Sequence, residues 1–142
     1  MKAKPVVIDT NVLISAALSP SGVPAKLVKS FVLSGRIVFS EETYDEFSSR
    51  LWLPKFDRYI SRERRKMILL DFSNIAEWVE IKGDIKLCRD VDDNKFLEVA
   101  LKANAAMLIS GDRDLTVLKQ VEGIPIVTPA EALALITKQK YV

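Results

Sequence analysis

Short apolar runs alternate along this chain with longer segments of helical spacing. The runs are Val6-Val7-Ile8, Ile37-Val38-Phe39, Val79-Glu80-Ile81, Met107-Leu108-Ile109 and Ile124-Pro125-Ile126-Val127. Most lack the period-two polar breaks of a half-solvated strand, so they suit strands covered on both faces. Between them, Leu27, Val28, Phe31 and Val32 share one face of a helix that Pro24 can open and Gly35 can follow. Ser40 is placed to cap a second helix with Tyr44, Phe47 and Leu51 inward, ended by Pro54. Ser61 can begin a longer helix through Met67, Leu70 and Ile75, and residues 93 to 103 gather Phe96, Leu97, Ala100 and Leu101. Thr128-Pro129-Ala130-Glu131 combines an N-cap, a first-turn proline and a capping-box glutamate. Strand, helix, strand, helix predicts an α/β domain. Its expected core is a four- to five-stranded, mainly parallel sheet with helices on both faces, joined by right-handed crossovers.

At 142 residues the chain reads as one domain, 1–142, long enough to bury a proper core. Its formal charge of +2 names no partner. The absence of histidine removes Ser-His-Asp and Cys-His chemistry and any His-ligated zinc. A single cysteine, Cys88, removes internal disulfides and all-cysteine metal sites, and reads as a small packing residue. Any chemistry therefore runs on carboxylates, amines, hydroxyls or a borrowed cation. Asp9 cuts the first apolar run after three residues, too soon for a secretory signal, and Val12 to Leu18 is too short to span a bilayer. A cytoplasmic protein with no membrane partner is expected, and an unpaired cysteine suits that reducing compartment.

In an open α/β sheet the ligand crevice lies beyond the carboxyl ends of the strands. Asp9 follows the first apolar run directly; Asp112 and Asp114 follow the fourth across Ser110-Gly111. Asp93, after Asp90 and Asp92, starts a helix, and Glu46 lies on the polar face of the helix after the second strand. Singly, each has an ordinary use. Asp9 can cap a helix beginning near Asn11, the Asp90 to Asp93 run can complement a helix dipole, Asp112 can cap a turn, and Glu46 can face solvent. Together they cannot all be ordinary. At about 5 Å and an effective dielectric near 20, each like-charged pair costs roughly 3 kcal/mol, so three ionised acids approach the whole stability of a domain. Such a cluster either protonates or holds a cation. Oxygen ligands alone suit hard ions, Mg²⁺ or Mn²⁺, and Mg²⁺ can activate a water for in-line attack on a phosphodiester. Thr10, Asn11 and Ser110 have the polarity to hold that water or fix a carboxylate.

These residues form a recognisable set. Val7-Ile8-Asp9-Thr10-Asn11-Val12-Leu13-Ile14-Ser15-Ala16 resembles the first motif of the PIN-domain ribonucleases, and Ser40-Glu41-Glu42-Thr43-Tyr44-Asp45-Glu46-Phe47 the second. Asp92-Asp93-Asn94-Lys95-Phe96-Leu97-Glu98-Val99-Ala100 resembles the third, with Asp93 in the acidic place, and Leu108-Ile109-Ser110-Gly111-Asp112-Arg113-Asp114-Leu115 the fourth. Each motif is weak alone; four in order over essentially the whole chain are specific. The chain is most similar to the VapC-like toxins of toxin–antitoxin pairs. The resemblance implies a single three-layer PIN-like domain and a Mg²⁺- or Mn²⁺-dependent endoribonuclease. Asp9, Glu46, Asp93 and Asp112 would be catalytic and metal-binding, with Asp114 an accessory ligand. Cleavage through a metal-activated water would leave a 5′-phosphate. An RNA substrate, an antitoxin protein and a homodimer are the implied partners. Many compact toxins of the family lack the extended stretch from Arg50 to Lys66 found here.

That stretch has its own reading. Arg50, Lys55, Arg58, Arg62, Arg64, Arg65 and Lys66 against Asp57 and Glu63 give a net +5, leaving −3 for the remainder. Trp52, Phe56 and Tyr59 are interleaved. Phosphates would favour the charges and unstacked bases the rings, which makes Arg50, Lys55, Arg58, Arg62, Arg64 and Arg65 RNA-binding candidates. The competing reading is a solvated helix surface whose rings pack inward or against a second subunit. Two other functions compete with a nuclease. A haloacid-dehalogenase-type phosphatase also uses Mg²⁺ at a parallel sheet, but it wants an acid where Asn11 stands and another at Thr116. A non-catalytic PIN-like module would bind RNA or a partner and keep the acids only as structure. No Gly-Lys-Ser or Gly-Lys-Thr loop supports a P-loop enzyme.

Overall fold

The computed structural model describes residues 3–140. Met1, Lys2, Tyr141 and Val142, counted within the domain on sequence grounds, lie outside the described residues. Strand β1 (Val6–Ile8) leads into α1 (Thr10–Leu18) and α2 (Val23–Leu33), then β2 (Val38–Phe39) and α3 (Glu41–Leu51). After a 3₁₀ turn at Pro54–Phe56 come α4 (Arg62–Ile75) and β3 (Glu77–Trp78), then α5 (Asn94–Ala103) and β4 (Met107–Ile109). The chain ends with α6 (Arg113–Thr116), β5 (Gln120–Val121), β6 (Ile124–Val127) and α7 (Pro129–Lys140).

The main sheet has the order β1-β4-β6-β5, parallel except for the β5–β6 hairpin. Beside it β2 pairs with β3 in parallel, and a bridge from Val6 to Ile37 joins this pair to β1. The chain thus leaves β1 toward β2 on one side and returns at β4 on the other, which opens a crevice beyond Ile8 and Ile109. The three-residue strands are buried throughout because each face has its own cover. Val6, Ile8, Met107 and Ile109 pack with residues of α1, α2, α3 and α7. Val7, Leu108 and Ile126 point the other way, onto Phe96, Leu97, Val99 and Ala100 of α5 and Leu115 of α6. The result is three layers.

Local chemistry sets most boundaries. Ser40 caps α3 in a reciprocal box with Thr43, and Ser61 accepts from the Arg64 amide at the start of α4. Thr128 and Glu131 form the box expected before α7. Pro54, expected to end α3, instead opens the 3₁₀ turn; α3 stops at Leu51. Positive φ at Glu122 and Gly123 turns β5 into β6, a hairpin the apolar runs did not predict. The third strand lies at Glu77–Trp78, not Val79 to Ile81: the Glu77 and Val79 amides donate to Ile37 and Phe39, while Val79 and Ile81 pack beyond the pairing. Helix α4 runs from its cap Ser61 through Met67, Leu70 and Ile75 as expected; its inward residues are Arg65, Ile68, Leu69 and Phe72, while Met67 and Leu70 are exposed.

From Val79 to Arg89 the chain has neither helix nor strand, yet two α5 side chains fix it. The Glu98 carboxylate accepts from the amides of Lys82, Gly83 and Asp84. Burial alone would raise that carboxyl, but these amides, with Lys102, hold it below its ordinary value. Asn94 accepts from the amides of Leu87 and Cys88, at 3.0 and 2.8 Å.

Candidate functional site

Asp9 ends β1 and occupies the N-cap position of α1, but its side chain makes no capping bond. Its Oδ2 accepts from the Ser110 hydroxyl, 2.6 Å away at the end of β4. Ser110 Oγ in turn accepts from the Asp112 amide at 2.9 Å. Asp112 caps α6 by accepting from the Asp114 amide at 2.9 Å. One serine therefore ties the ends of two adjacent strands and sets the direction of two acids. Asp93 arrives from the far side on a 3₁₀ turn, Val91–Asp93, which Asp90 caps through the Asp92 amide.

Among the described residues, Asp90, Asp93 and Asp114 each offer a carboxylate oxygen within 4.8 Å of the other two. Asp93 is buried, and its Oδ2 has no hydrogen-bond partner. Burial, the Asp112 carboxylate beside it, and the charges of Asp9 and Asp90 push its carboxyl up to about 7. Burial also raises Asp9, with Glu46 and Asp112 adding repulsion and the Ser110 bond opposing them. The acids at the ends of β1 and β4 and at the start of α5 thus share one field.

Glu46 enters differently. Its Oε1 meets Arg50 Nη2 and Lys95 Nζ, each at 3.1 Å, and the Thr10 hydroxyl donates to Oε2. Arg50 Nη1 also donates to Asn11 Oδ1 at 3.1 Å. Two cations and a hydroxyl thus neutralise and aim this carboxylate at the pocket edge. Of the three polar residues singled out on sequence, Thr10 and Ser110 fix carboxylates, while Asn11 is exposed and engages Arg50. Sequence reasoning missed Asp90 as a pocket acid and Lys95 as a partner of Glu46. The available signal was spacing: Asp90 lies three residues before Asp93 on the turn it caps, and Lys95 two after it, on the first turn of α5.

The donor set fits a hard divalent cation: it is all oxygen, it is crowded, and it includes the orphaned Asp93 Oδ2. Cys88, half-buried nearby, cannot compete, because burial and then the surrounding carboxylates push its thiol up to about 11.

The basic stretch needs two corrections. Arg65, expected to meet RNA from an exposed surface, is 1% exposed and donates from Nη1 to Asp57 Oδ1 at 2.8 Å. Arg50, Lys55, Arg58, Arg62 and Arg64 are exposed. Trp52 and Phe56 pack against the core instead of presenting free rings; Arg62 and Arg65 lie over Trp52, and Lys55 over Phe56. Tyr59 is the exposed ring of the three.

A sequence profile described as PIN domain matches residues 5–114, a span that holds every acid of this pocket. The uncharacterized protein MJ1680 of Methanocaldococcus jannaschii (strain ATCC 43067 / DSM 2661 / JAL-1 / JCM 10045 / NBRC 100440) is 38% identical over 117 residues, covering 80% of this chain and 74% of that protein. No helix among the described residues is long and apolar enough to cross a membrane.

Proposed function

Because the chain belongs to the PIN-domain family, we propose that it is a Mg²⁺- or Mn²⁺-dependent endoribonuclease, the toxin of a toxin–antitoxin pair. The observation that carries the reading is Asp93: a buried carboxylate with an unpaired oxygen, crowded by Asp90, Asp112 and Asp114. A cation bound there would offset the repulsion and favour the ionised form at neutral pH. The bound ion would supply charge neutralisation and a water acidic enough to attack a phosphodiester.

In this reading Asp93, Asp114 and Asp112 would hold the ion, with Asp90 completing the same oxygen cluster. Asp9, locked by Ser110, presents its remaining lone pairs to the pocket. Glu46, aimed by Thr10, Lys95 and Arg50, faces the substrate side, where the two cations can also take a phosphate oxygen. Asn11 keeps Arg50 at the rim. Attack of water on phosphorus would break the P–O3′ bond, leaving a 5′-phosphate on one fragment and, after uptake of a proton, a 3′-hydroxyl on the other. The toxin role, the antitoxin partner, the homodimer and the cytoplasmic location are supported by the resemblance to VapC-like proteins.

The test is RNA cleavage with Mn²⁺, with chelator, and with Asp9→Asn and Asp93→Asn proteins. Cleavage by the unsubstituted protein, lost in the other three reactions, is expected. Persistence in both substituted proteins would overturn the site. Growth arrest on expression in a bacterial host, abolished by Asp9→Asn, is expected of a toxin; normal growth with active protein would make it a processing enzyme.

A further inference from the structure

The irregular chain between β3 and the Val91–Asp93 turn helps to form a cavity of about 510 Å³. Ile85, Lys86 and Cys88 of that segment line it together with Val91, Asp92 and Lys95. The segment is held from α5, because Glu98 accepts from three of its amides and Asn94 from two. Irregular chain fixed on a rigid scaffold is where binding contacts concentrate. The cavity also borders the acid pocket. Asp92 and Asn94 flank Asp93 in the chain, and Lys95, a lining residue, has its Nζ 3.1 Å from Glu46.

We propose that this cavity takes one unstacked base of the RNA strand, beside the bond that is cut. It selects a base with a carbonyl next to a ring N–H: guanine or uracil. The identity of the strand rests on the nuclease reading. The volume falls within the roughly 300 to 1,000 Å³ of small-ligand sites. Charge argues for a base over a phosphate. Lys86 and Lys95 offset Asp92 and Glu98, so the lining has no net charge, whereas a phosphate site gathers cations. Ile85 and Val91 offer aliphatic surface to the faces of a ring, and Val91 is 76% exposed. The Cys88 thiol, its proton held by burial and nearby carboxylates, adds uncharged surface.

Selection follows from which charges are already engaged. Glu98 is spent on backbone amides and Lys95 on Glu46. Asp92 and Lys86 are exposed, and among the described residues neither charged group has a hydrogen-bond or ion-pair partner. One acceptor and one donor thus remain. A carboxylate accepts from a ring N–H, and an ammonium donates to a carbonyl. Guanine and uracil present those two groups side by side. Adenine and cytosine present an amine and a bare nitrogen in the same places, so both contacts are reversed. Guanine adds an exocyclic amine that the same carboxylate can accept; uracil is the smaller ring.

The experiment needs no cleavage. With chelator present, short RNAs of adenosines bearing one central guanosine, uridine or cytidine, and the all-adenosine strand, are titrated while the methyl signals of Ile85 and Val91 are followed by NMR. The guanosine and uridine strands should move both signals saturably and bind about tenfold tighter than the other two. Tight binding of just one of them would keep the site and identify its base. Asp92→Ala and Lys86→Ala change exposed positions and should fold; each should bring the four affinities to within about threefold of one another. Still methyl signals, equal binding of all four strands, or a preference for adenosine or cytidine would overturn the site. A preference unchanged in both variants would overturn the pairing that defines it. Base preference in chelator without cleavage in Mn²⁺ would sink the nuclease reading alone, and cleavage without base preference would sink this one alone.

Discussion

The acid pocket and the basic stretch after α3 each bury one ionisable side chain with polar atoms unpaired, and they handle it in opposite ways. Asp93 lies among charges of its own sign, so it holds its proton up to about pH 7, and one of its oxygens has no hydrogen-bond partner. Arg65 cannot discard its proton at any working pH. It relies on an exposed partner, Asp57, whose side chain is 63% accessible, and leaves two donors empty. A buried acid can thus be neutralised by protonation until its ligand arrives, whereas a buried arginine must stay charged. Desolvation weighs on both, but only the acid has a pH-dependent escape.

Breaking the acidic side should give the largest effects. Asp93→Asn is expected to lower RNA cleavage by at least about a thousandfold, measured at saturating Mn²⁺. The same substitution should raise the thermal stability of chelated protein at pH 8, because the amide removes a charge that must otherwise be buried. Failure to gain stability would show that Asp93 is not under repulsion.

The second test is pH. Asp93 titrates near 7 in the folded chain against 3.8 as an ordinary carboxyl, so the native state binds the extra proton. Its contribution therefore falls as pH rises from about 4 and levels off above 7, by about 2–4 kcal/mol in all. The Tm of chelated protein should drop across that window, and Mn²⁺ should flatten the fall. A Tm independent of pH in chelator would contradict the crowding.

On the basic side, Asp57→Ala strands the Arg65 charge and should cost about 2–3 kcal/mol in chemical denaturation. Arg65→Met removes that charge with its partner still in water and should be neutral or stabilising by about 1 kcal/mol. Reversal of this order would make Arg65 a purely structural anchor. The smallest effect is expected at the exposed charges: replacing Arg62 and Arg64 by Ala should reduce the salt slope of RNA affinity by up to about 2, and an unchanged slope would remove them from the interface.

The pocket was readable in sequence because its acids stand at strand ends. Asp9 after Val7-Ile8 and Asp112 after Leu108-Ile109 are located by the apolar runs themselves, and parallel pairing of β1 with β4 brings them together. Asp90 was hidden by its real capping bond to the Asp92 amide: one side chain serves the turn and the pocket at once. Strand β3 was misplaced by two residues because apolar pattern reports burial, whereas an edge pairing is made by backbone amides whatever the side chains. The short α6 and β5 carry no period to detect. In α4, Met67 and Leu70 compete with Ile68, Leu69 and Phe72 for the inner face, and an arginine is the last residue expected to decide it.

The two posts that α5 sets into the irregular segment, Glu98 on Lys82 to Asp84 and Asn94 on Leu87 and Cys88, bear on how this chain can diverge. Between them, Ile85 and Lys86 are the span that neither post holds. Extra residues inserted there would lengthen the rim and alter what it reaches, while Asp90 kept its place. Lengthening after Cys88 would instead move Asp90 away from Asp93. The same segment thus has one stretch open to innovation and one where length is fixed by the acids.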